Sequence, residues 1–128
     1  MPYKNLQDRQ AHGRRYYLAN REHVLSQSKL WVKNNPEKHK RSCLQSALRG
    51  RRGLPESEVQ KAMAAYDAFD GICQACGFVC STQFDVDHNH VTHLFRGIVG
   101  HRCNIVLGWV KNDARRLQAL IEYLERQS

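Results

Sequence analysis

The chain has 128 residues and a formal net charge of +8, which limits it to one domain with at most an appendage and favours an anionic polymer as partner. No apolar run approaches the roughly 18 residues of a membrane-spanning helix, so we expect no membrane partner. The N-terminus lacks the apolar stretch of a secretory signal, which predicts an intracellular protein. In that compartment, the five cysteines favour metal binding or free thiols over disulfides.

The positive charge is concentrated in the first half of the sequence. Residues 1–52 contain 13 lysines and arginines against 3 acidic residues, whereas residues 53–128 contain 7 against 9. Such an imbalance exceeds what a mixed solvated surface needs. It predicts a basic helical arm over 1–52 that binds DNA, followed by a nearly neutral folded domain over 53–128.

The arm contains a short internal repeat. Segments 16–23 and 31–38 both place an aromatic residue, an asparagine and a glutamate at a 15-residue offset. We expect helices over about 9–34 and 36–49, with a break before Pro36 because the residue preceding a proline disfavours helix. The alternative is a solvated charged helix that binds nothing in particular. The basic side chains predicted to contact DNA phosphates are Arg14, Arg15, Arg21, Lys29, Lys33, Lys38, Lys40 and Arg41.

The second half predicts helix, strand, strand, helix and helix. A helix from Pro55 to about Ala68 has apolar residues at helical spacing, and strands are expected over 84–87 and 94–99. Asn104 is predicted to open a short helix, and Asp113 to cap the last one. An apolar stripe on that last helix is expected to complete the core, with a dimer contact as the alternative; it comprises Leu117, Leu120, Ile121 and Leu124.

The pair Cys73-x-x-Cys76, followed by Gly77, has the spacing of a zinc knuckle. A turn of this kind directs both thiolates at one ion, and the glycine allows backbone amides to face the sulfurs. Redox motifs use the same spacing, but here the surrounding sequence lacks their strand-to-helix context. We therefore predict a structural zinc.

A second group of polar residues follows within the same segment. Asp87, His88 and His90 lie close together, and Asn104 comes shortly afterwards. A carboxylate and an amide offer hard oxygen ligands, and an imidazole can accept a proton near neutral pH. This combination is typical of metal-assisted hydrolysis.

Taken together, these motifs resemble the recombination endonuclease VII family, within the His-Me finger (HNH-like) nucleases. The resemblance covers about residues 70–127. The motifs that carry it are Cys73-x-x-Cys76, Asp87-His88-Asn89-His90, Arg96-Gly97, Cys103-Asn104, Leu107-Gly108 and a closing helix with Tyr123-Leu124. It implies an α+β, mostly helical protein, in which a ββα-metal finger with a structural zinc knuckle follows the basic helical arm. The family usually has Asp-His-Asp-His, so Asn89 is a variation.

The resemblance also implies a role for each site residue. His88 would be the general base, and Asp87 and Asn104 would hold a catalytic Mg²⁺ or Mn²⁺. His90 would position groups or contact the scissile phosphate, while Arg96 would support the phosphate or the fold. The implied function is a metal-dependent DNA endonuclease, a nickase or a resolvase of branched DNA, in the cytoplasm of a phage-infected or host cell. A homodimer stays open, and the alternative is a catalytically weak or inactive zinc-containing nucleic-acid-binding module.

One position departs from the family pattern. The family has another cysteine at position 100, where this chain has Gly100. The cysteines that remain from the pattern would give zinc only three ligands: Cys73, Cys76 and Cys103. Structural zinc sites normally have four. His101 is the first candidate for the fourth ligand and Cys80 the alternative, and a weakened or absent site stays open.

Overall fold

The computed structural model describes residues 4–126, which form an α+β, mostly helical structure with one two-stranded sheet. The described chain divides into two compact units, one up to Leu44 and one from Gln45 onward. No helix among residues 4–126 is long and apolar enough to cross a membrane. The elements are α1 Leu6–Ala19, α2 Arg21–Asn34, α3 Pro36–Arg49, α4 Glu56–Asp67, β1 Phe84–His88, β2 Phe95–Gly100, α5 His101–Trp109 and α6 Ala114–Glu125.

The first unit is divided by asparagines at the helix junctions. Asn20 donates its side-chain amide to the carbonyl oxygen of Tyr16 at 2.9 Å, and Asn35 donates in the same way to Trp31 at 2.9 Å. The backbone amide of each asparagine donates to the same carbonyl oxygen, so the side chain adds a second hydrogen bond at the end of the helix. The single helix predicted over 9–34 is therefore wrong, because the chain breaks at Asn20 as well as before Pro36.

The helices α1 and α2 bury none of their residues. Their aromatic and aliphatic side chains stay accessible; Tyr16 is 57% exposed and Trp31 is 48% exposed. Because these two helices have no core of their own, their packing contributes little hydrophobic stabilisation.

The second unit contains the hydrophobic core, and that core reaches back into the end of α3. Leu48 is fully buried, and its carbonyl oxygen accepts a hydrogen bond from the amide of Leu54 at 3.0 Å. The helix α4 packs on β2, where the Glu58 carboxylate accepts a hydrogen bond from the Phe95 amide at 2.8 Å. The other core side chains are Leu54, Val59, Ala62, Met63, Cys73, Val86, Ile98, Val99 and Val110.

The strands β1 and β2 pair antiparallel, with Val86 opposite Ile98 and Asp87 opposite Gly97. The register then shifts, since His88 pairs with Phe95 and leaves Arg96 as the extra residue of a bulge. Bulges of this kind redirect side chains next to functional sites. Here the register shifts between Asp87 and His88, at the end of β1.

The knuckle that carries the first cysteines is joined to β2 by Gln74. Its backbone amide donates to the Ile98 carbonyl at 3.0 Å, and its side-chain oxygen accepts from the Ile98 amide at 2.9 Å. A β-carbon on Gly97 would lie 2.5 Å from that side-chain oxygen, so a larger residue there would displace the Gln74 amide from this hydrogen bond.

Two expectations about the last helices need correction. The helix α5 begins at His101, so Asn104 lies within its first turns and does not open it. Asp113 does cap α6, accepting from the amide of Arg115 at 3.0 Å. None of the α6 residues is buried, however, and Leu120 is 51% exposed. The α6 stripe therefore does not complete the core, which α4 and the two strands already fill.

Candidate active site and thiol cluster

The predicted catalytic residues surround one cavity of about 330 Å³ in the second unit. The strand β1 ends there and contributes Asp87 and His88, the following loop contributes His90, and α5 contributes Asn104. The structure therefore brings these four side chains together, although Asn104 is 17 positions from Asp87 in the sequence.

The buried carboxylate of Asp87 is held by Arg96 from the β2 bulge. The Nε of Arg96 lies 2.8 Å from Oδ2 of Asp87, and Nη2 of Arg96 donates to Oδ1 of Asp87 at 3.1 Å. The same Nη2 donates to the Asn112 side chain at 2.7 Å. Asn112 has a left-handed φ of 56°, which asparagine tolerates better than most residues. This bidentate pair fixes the carboxylate, and each carboxylate oxygen retains a second acceptor site.

His88 is 8% exposed and stacks on the ring of His90, with ring centroids 4.6 Å apart. Burial lowers the pKa of His88 below its usual value of 6.5, and electrostatic repulsion from the neighbouring His90 ring and from Arg52 lowers that pKa further. The neutral imidazole is therefore the dominant form at pH 7, which is the form that accepts a proton.

Asp85 is a site residue that the sequence analysis missed. Its Oδ2 accepts a hydrogen bond from Nδ2 of Asn104 at 3.0 Å and lies 2.7 Å from Nδ1 of His101. Because a carboxylate only accepts, the Asn104 amide nitrogen must face Asp85, and its oxygen turns away from that carboxylate. The signal in the sequence was the alternation of β1, which puts Asp85 on the same strand face as Asp87.

Asn89 stabilises the loop that follows β1. Its side-chain oxygen accepts from the amides of Val91 at 2.8 Å and Thr92 at 3.0 Å. An aspartate would accept these bonds equally well, which explains physically why either residue suits this motif position.

Two arginines between α3 and α4 also line the candidate active-site cavity. Arg51 and Arg52 lie there with His93. Arg52 donates to the Val86 carbonyl oxygen at 2.8 Å, and Nδ1 of His93 lies 3.2 Å from the Arg52 carbonyl oxygen. Arg51 is exposed. The sequence analysis included both arginines in the basic arm over 1–52, and so missed their place at the site.

The sulfurs of Cys73, Cys76 and Cys103 all lie within 4.8 Å of one another. Burial alone would raise the pKa of Cys73, but backbone amides including that of Gly100, at 3.1 Å, donate to its sulfur and lower the pKa overall. The hydrogen bond with Cys76 raises the pKa of Cys103, as do burial and the charge of Cys73. A bound cation would favour the thiolate form of all three cysteines and relieve their mutual repulsion.

The arm residues predicted to contact phosphates lie on the first three helices, and most are exposed. Arg96, by contrast, lies in the second unit against Asp87. The basic side chains of the arm are therefore presented along α1, α2 and α3 as follows: Arg14 and Arg15; then Arg21, Lys29 and Lys33; then Lys38, Lys40 and Arg41.

Comparison with known protein families gives one match. The model of recombination endonuclease VII matches residues 46–126, more than half of the chain. This range begins earlier than the resemblance noted over 70–127, and it includes the buried end of α3. No curated protein and no solved structure matches the chain.

Proposed function

Because the chain belongs to the recombination endonuclease VII family, we propose that it is a metal-dependent endonuclease that hydrolyses phosphodiester bonds in DNA. The observation that carries this proposal is the convergence of Asp87, His88 and Asn104 on one cavity. The substrate is duplex or branched DNA, and the enzyme acts as a nickase or a resolvase.

In the proposed reaction, His88 is the general base that removes a proton from the attacking water. Its burial and lowered pKa support this role, because the base must be neutral to accept the proton. His90 stacks on the His88 ring and restricts its orientation. His90 is itself exposed, so it is also available to the scissile phosphate.

The carboxylate of Asp87 and the amide oxygen of Asn104 are the ligands for the catalytic Mg²⁺ or Mn²⁺. Both are hard oxygen donors, which these ions prefer, and Asp85 orients the Asn104 amide so that its oxygen is available. Such an ion, when bound, would stabilise the negative charge that develops on the leaving oxygen. Arg96 holds Asp87 in position through two contacts.

The basic side chains supply the DNA contacts. Arg51 and Arg52 at the cavity are placed to neutralise phosphates beside the scissile bond, and the arm is proposed to hold the flanking duplex. Contacts of this type carry no base information, so binding is expected to depend weakly on sequence.

The thiol cluster is the proposed structural zinc site. Zinc–sulfur bonds of about 2.3 Å imply sulfur separations of about 3.8 Å in a tetrahedral site, which the cluster of Cys73, Cys76 and Cys103 approaches. A metal there would join the knuckle to α5, because Cys103 belongs to that helix.

One observation favours a second candidate, a zinc-containing nucleic-acid-binding module with weak or no catalysis. Arg96 already contacts both carboxylate oxygens of Asp87, and its positive charge opposes that of an incoming cation. If this ion pair outcompetes the metal, the chain will bind DNA without cutting it.

Plasmid nicking separates the two candidates. We expect nicking that requires added Mg²⁺ or Mn²⁺ and that falls by about 10²- to 10⁴-fold in His88→Ala, the usual contribution of a general base. His23→Ala, at an exposed histidine of α2, is the matched control. Equal cleavage by wild type and His88→Ala rejects His88 as base, and cleavage without added divalent ions rejects the metal mechanism. Binding with no cleavage in any of these ions supports the second candidate.

A further inference from the structure

Three clustered thiols leave a tetrahedral zinc site one ligand short. We propose that Cys80 supplies the fourth thiolate, in the place that a side chain at position 100 would occupy. The inference rests on the proposed zinc site and specifies how this particular chain completes it.

The space beside Gly100 shows why Cys80 fits. Gly100 is buried, and a β-carbon built on it would lie 3.3 Å from the β-carbon of Cys80 and 3.8 Å from the sulfur of Cys73. Position 100 therefore faces the sulfurs. Cys80 occupies the volume that a side chain at position 100 would need. The thiol of Cys80 thus takes the place of the side chain that Gly100 lacks.

The backbone holds Cys80 in this place. Its amide donates to the Gly71 carbonyl at 2.7 Å, and the neighbouring Val79 forms a bridge with Ile72. Burial raises the pKa of the Cys80 thiol, and its nearness to Cys73 raises that pKa further. The Cys80 sulfur lies outside the group of three within 4.8 Å, but all four cysteines line one cavity of about 560 Å³. The proposal therefore requires a rotation about the Cα–Cβ bond of Cys80 that brings its sulfur to the shared ion.

His101 is the rival ligand, and the structure gives its ring another partner. Its Nδ1 lies 2.7 Å from the Asp85 carboxylate, which itself accepts from Asn104. The His101 side chain is 53% exposed, whereas Cys80 is partly buried against Cys73. His101 thus belongs to the polar network beside the active site, and the cysteine is the group in contact with the cluster.

This arrangement places three of the four ligands within one short knuckle, from Cys73 to Cys80. Only Cys103 comes from a helix. The knuckle alone would then hold the ion by three thiolates, and a single sulfur–metal bond would tie that unit to α5.

Cobalt substitution of the full-length protein tests the ligand set, because the sulfur-to-cobalt charge-transfer absorption scales with the number of bound thiolates. Cys80→Ala should lose about a quarter of this absorption, as expected when four thiolates become three. It should also weaken metal binding by more than the roughly 10- to 100-fold that loss of an outer-shell partner costs. His101→Ala and Cys43→Ala, the latter at an exposed cysteine of the arm, should keep the wild-type spectrum.

A variant with the cysteine moved to position 100 controls for misfolding of Cys80→Ala. The double variant Gly100→Cys, Cys80→Ala should regain the four-thiolate spectrum, because a β-carbon at position 100 lies close to the Cys73 sulfur. An unchanged spectrum in Cys80→Ala, or the loss appearing in His101→Ala instead, overturns the proposal. So does a protein that binds no cobalt. His88→Ala, which tests the nuclease reaction, should retain the full spectrum, so failure of catalysis and failure of this ligand assignment are distinguishable.

Discussion

Asp85 provides a sharp test of the active-site geometry, because it is predicted to act only through Asn104. Replacing Asp85 with alanine removes the acceptor for the Asn104 amide nitrogen, at 3.0 Å in the structure. The amide of Asn104 can then turn, and its oxygen would no longer be held toward the proposed catalytic ion. The proposed role of Asp85 is therefore to position Asn104.

The size of the effect follows from the hydrogen bond that is lost. A bond to a charged group contributes about 1.5–3 kcal/mol, and the side chain of Asp85 is 26% exposed, which favours the lower end. Since about 1.4 kcal/mol corresponds to a factor of ten, we expect the Mg²⁺ concentration for half-maximal nicking to rise about tenfold in Asp85→Ala.

The assay is plasmid nicking across a Mg²⁺ titration, with thermal unfolding measured in parallel. Asp85→Asn should recover part of the loss, because its side-chain oxygen can still accept from Asn104. His101→Ala is the matched control, since it removes the other partner of Asp85 and leaves that bond intact. A Mg²⁺ dependence in Asp85→Ala equal to wild type would refute the reasoning. An equal shift in His101→Ala would assign the effect to the Asp85–His101 pair instead.

Three further predictions address the base, the arm and the core. The nicking rate should rise with pH through a midpoint below 6.5 and then level off, because burial and neighbouring charge lower the pKa of His88 and only its neutral form acts as base. A pH–rate profile with a midpoint above 6.5 would contradict this. Replacing Arg14 and Arg15 with glutamine should reduce the slope of log binding constant against log salt by up to about 1.8, at roughly 0.9 per phosphate contact, and an unchanged slope excludes this pair as DNA contacts. Leu48→Ala should lower the free energy of unfolding by about 2–5 kcal/mol in urea titrations, far more than Leu30→Ala on the exposed arm, and similar losses would disprove that α3 ends in the core.

The elements that the sequence predicted well are those with strong local signals. Alternation predicted β1 and β2 almost to the residue, and the spacing of Val59 and Met63 predicted the buried face of α4. The cap at Asp113 was also confirmed, because an aspartate before a helix satisfies its free amides locally. The cysteine cluster followed from motif spacing and the family resemblance.

The features that the sequence did not predict depend on contacts between residues distant in sequence, or on which of several possible contacts forms. The break at Asn20 had a signal, namely its equivalence to Asn35 in the repeat, but proline alone was used to place a helix end. The exposed α6 shows the opposite error, since an apolar stripe indicates one face of a helix without indicating that anything covers it. The bond from Asp85 to Asn104 joins β1 to α5 across 19 positions, and no local pattern predicts it.

The two hydrogen bonds of Gln74 to Ile98 attach the turn that carries Cys73 and Cys76 to the edge of the sheet. Ile98 pairs in turn with Val86, the residue before Asp87. When the proposed zinc is removed, loosening of this turn should therefore reach β1, the strand that carries the proposed metal ligand Asp87. A chelator added to remove magnesium would also remove zinc from the cysteines. The rate of amide hydrogen exchange at Ile98 would show whether the turn has loosened, and so whether a loss of cleavage reflects the missing magnesium alone.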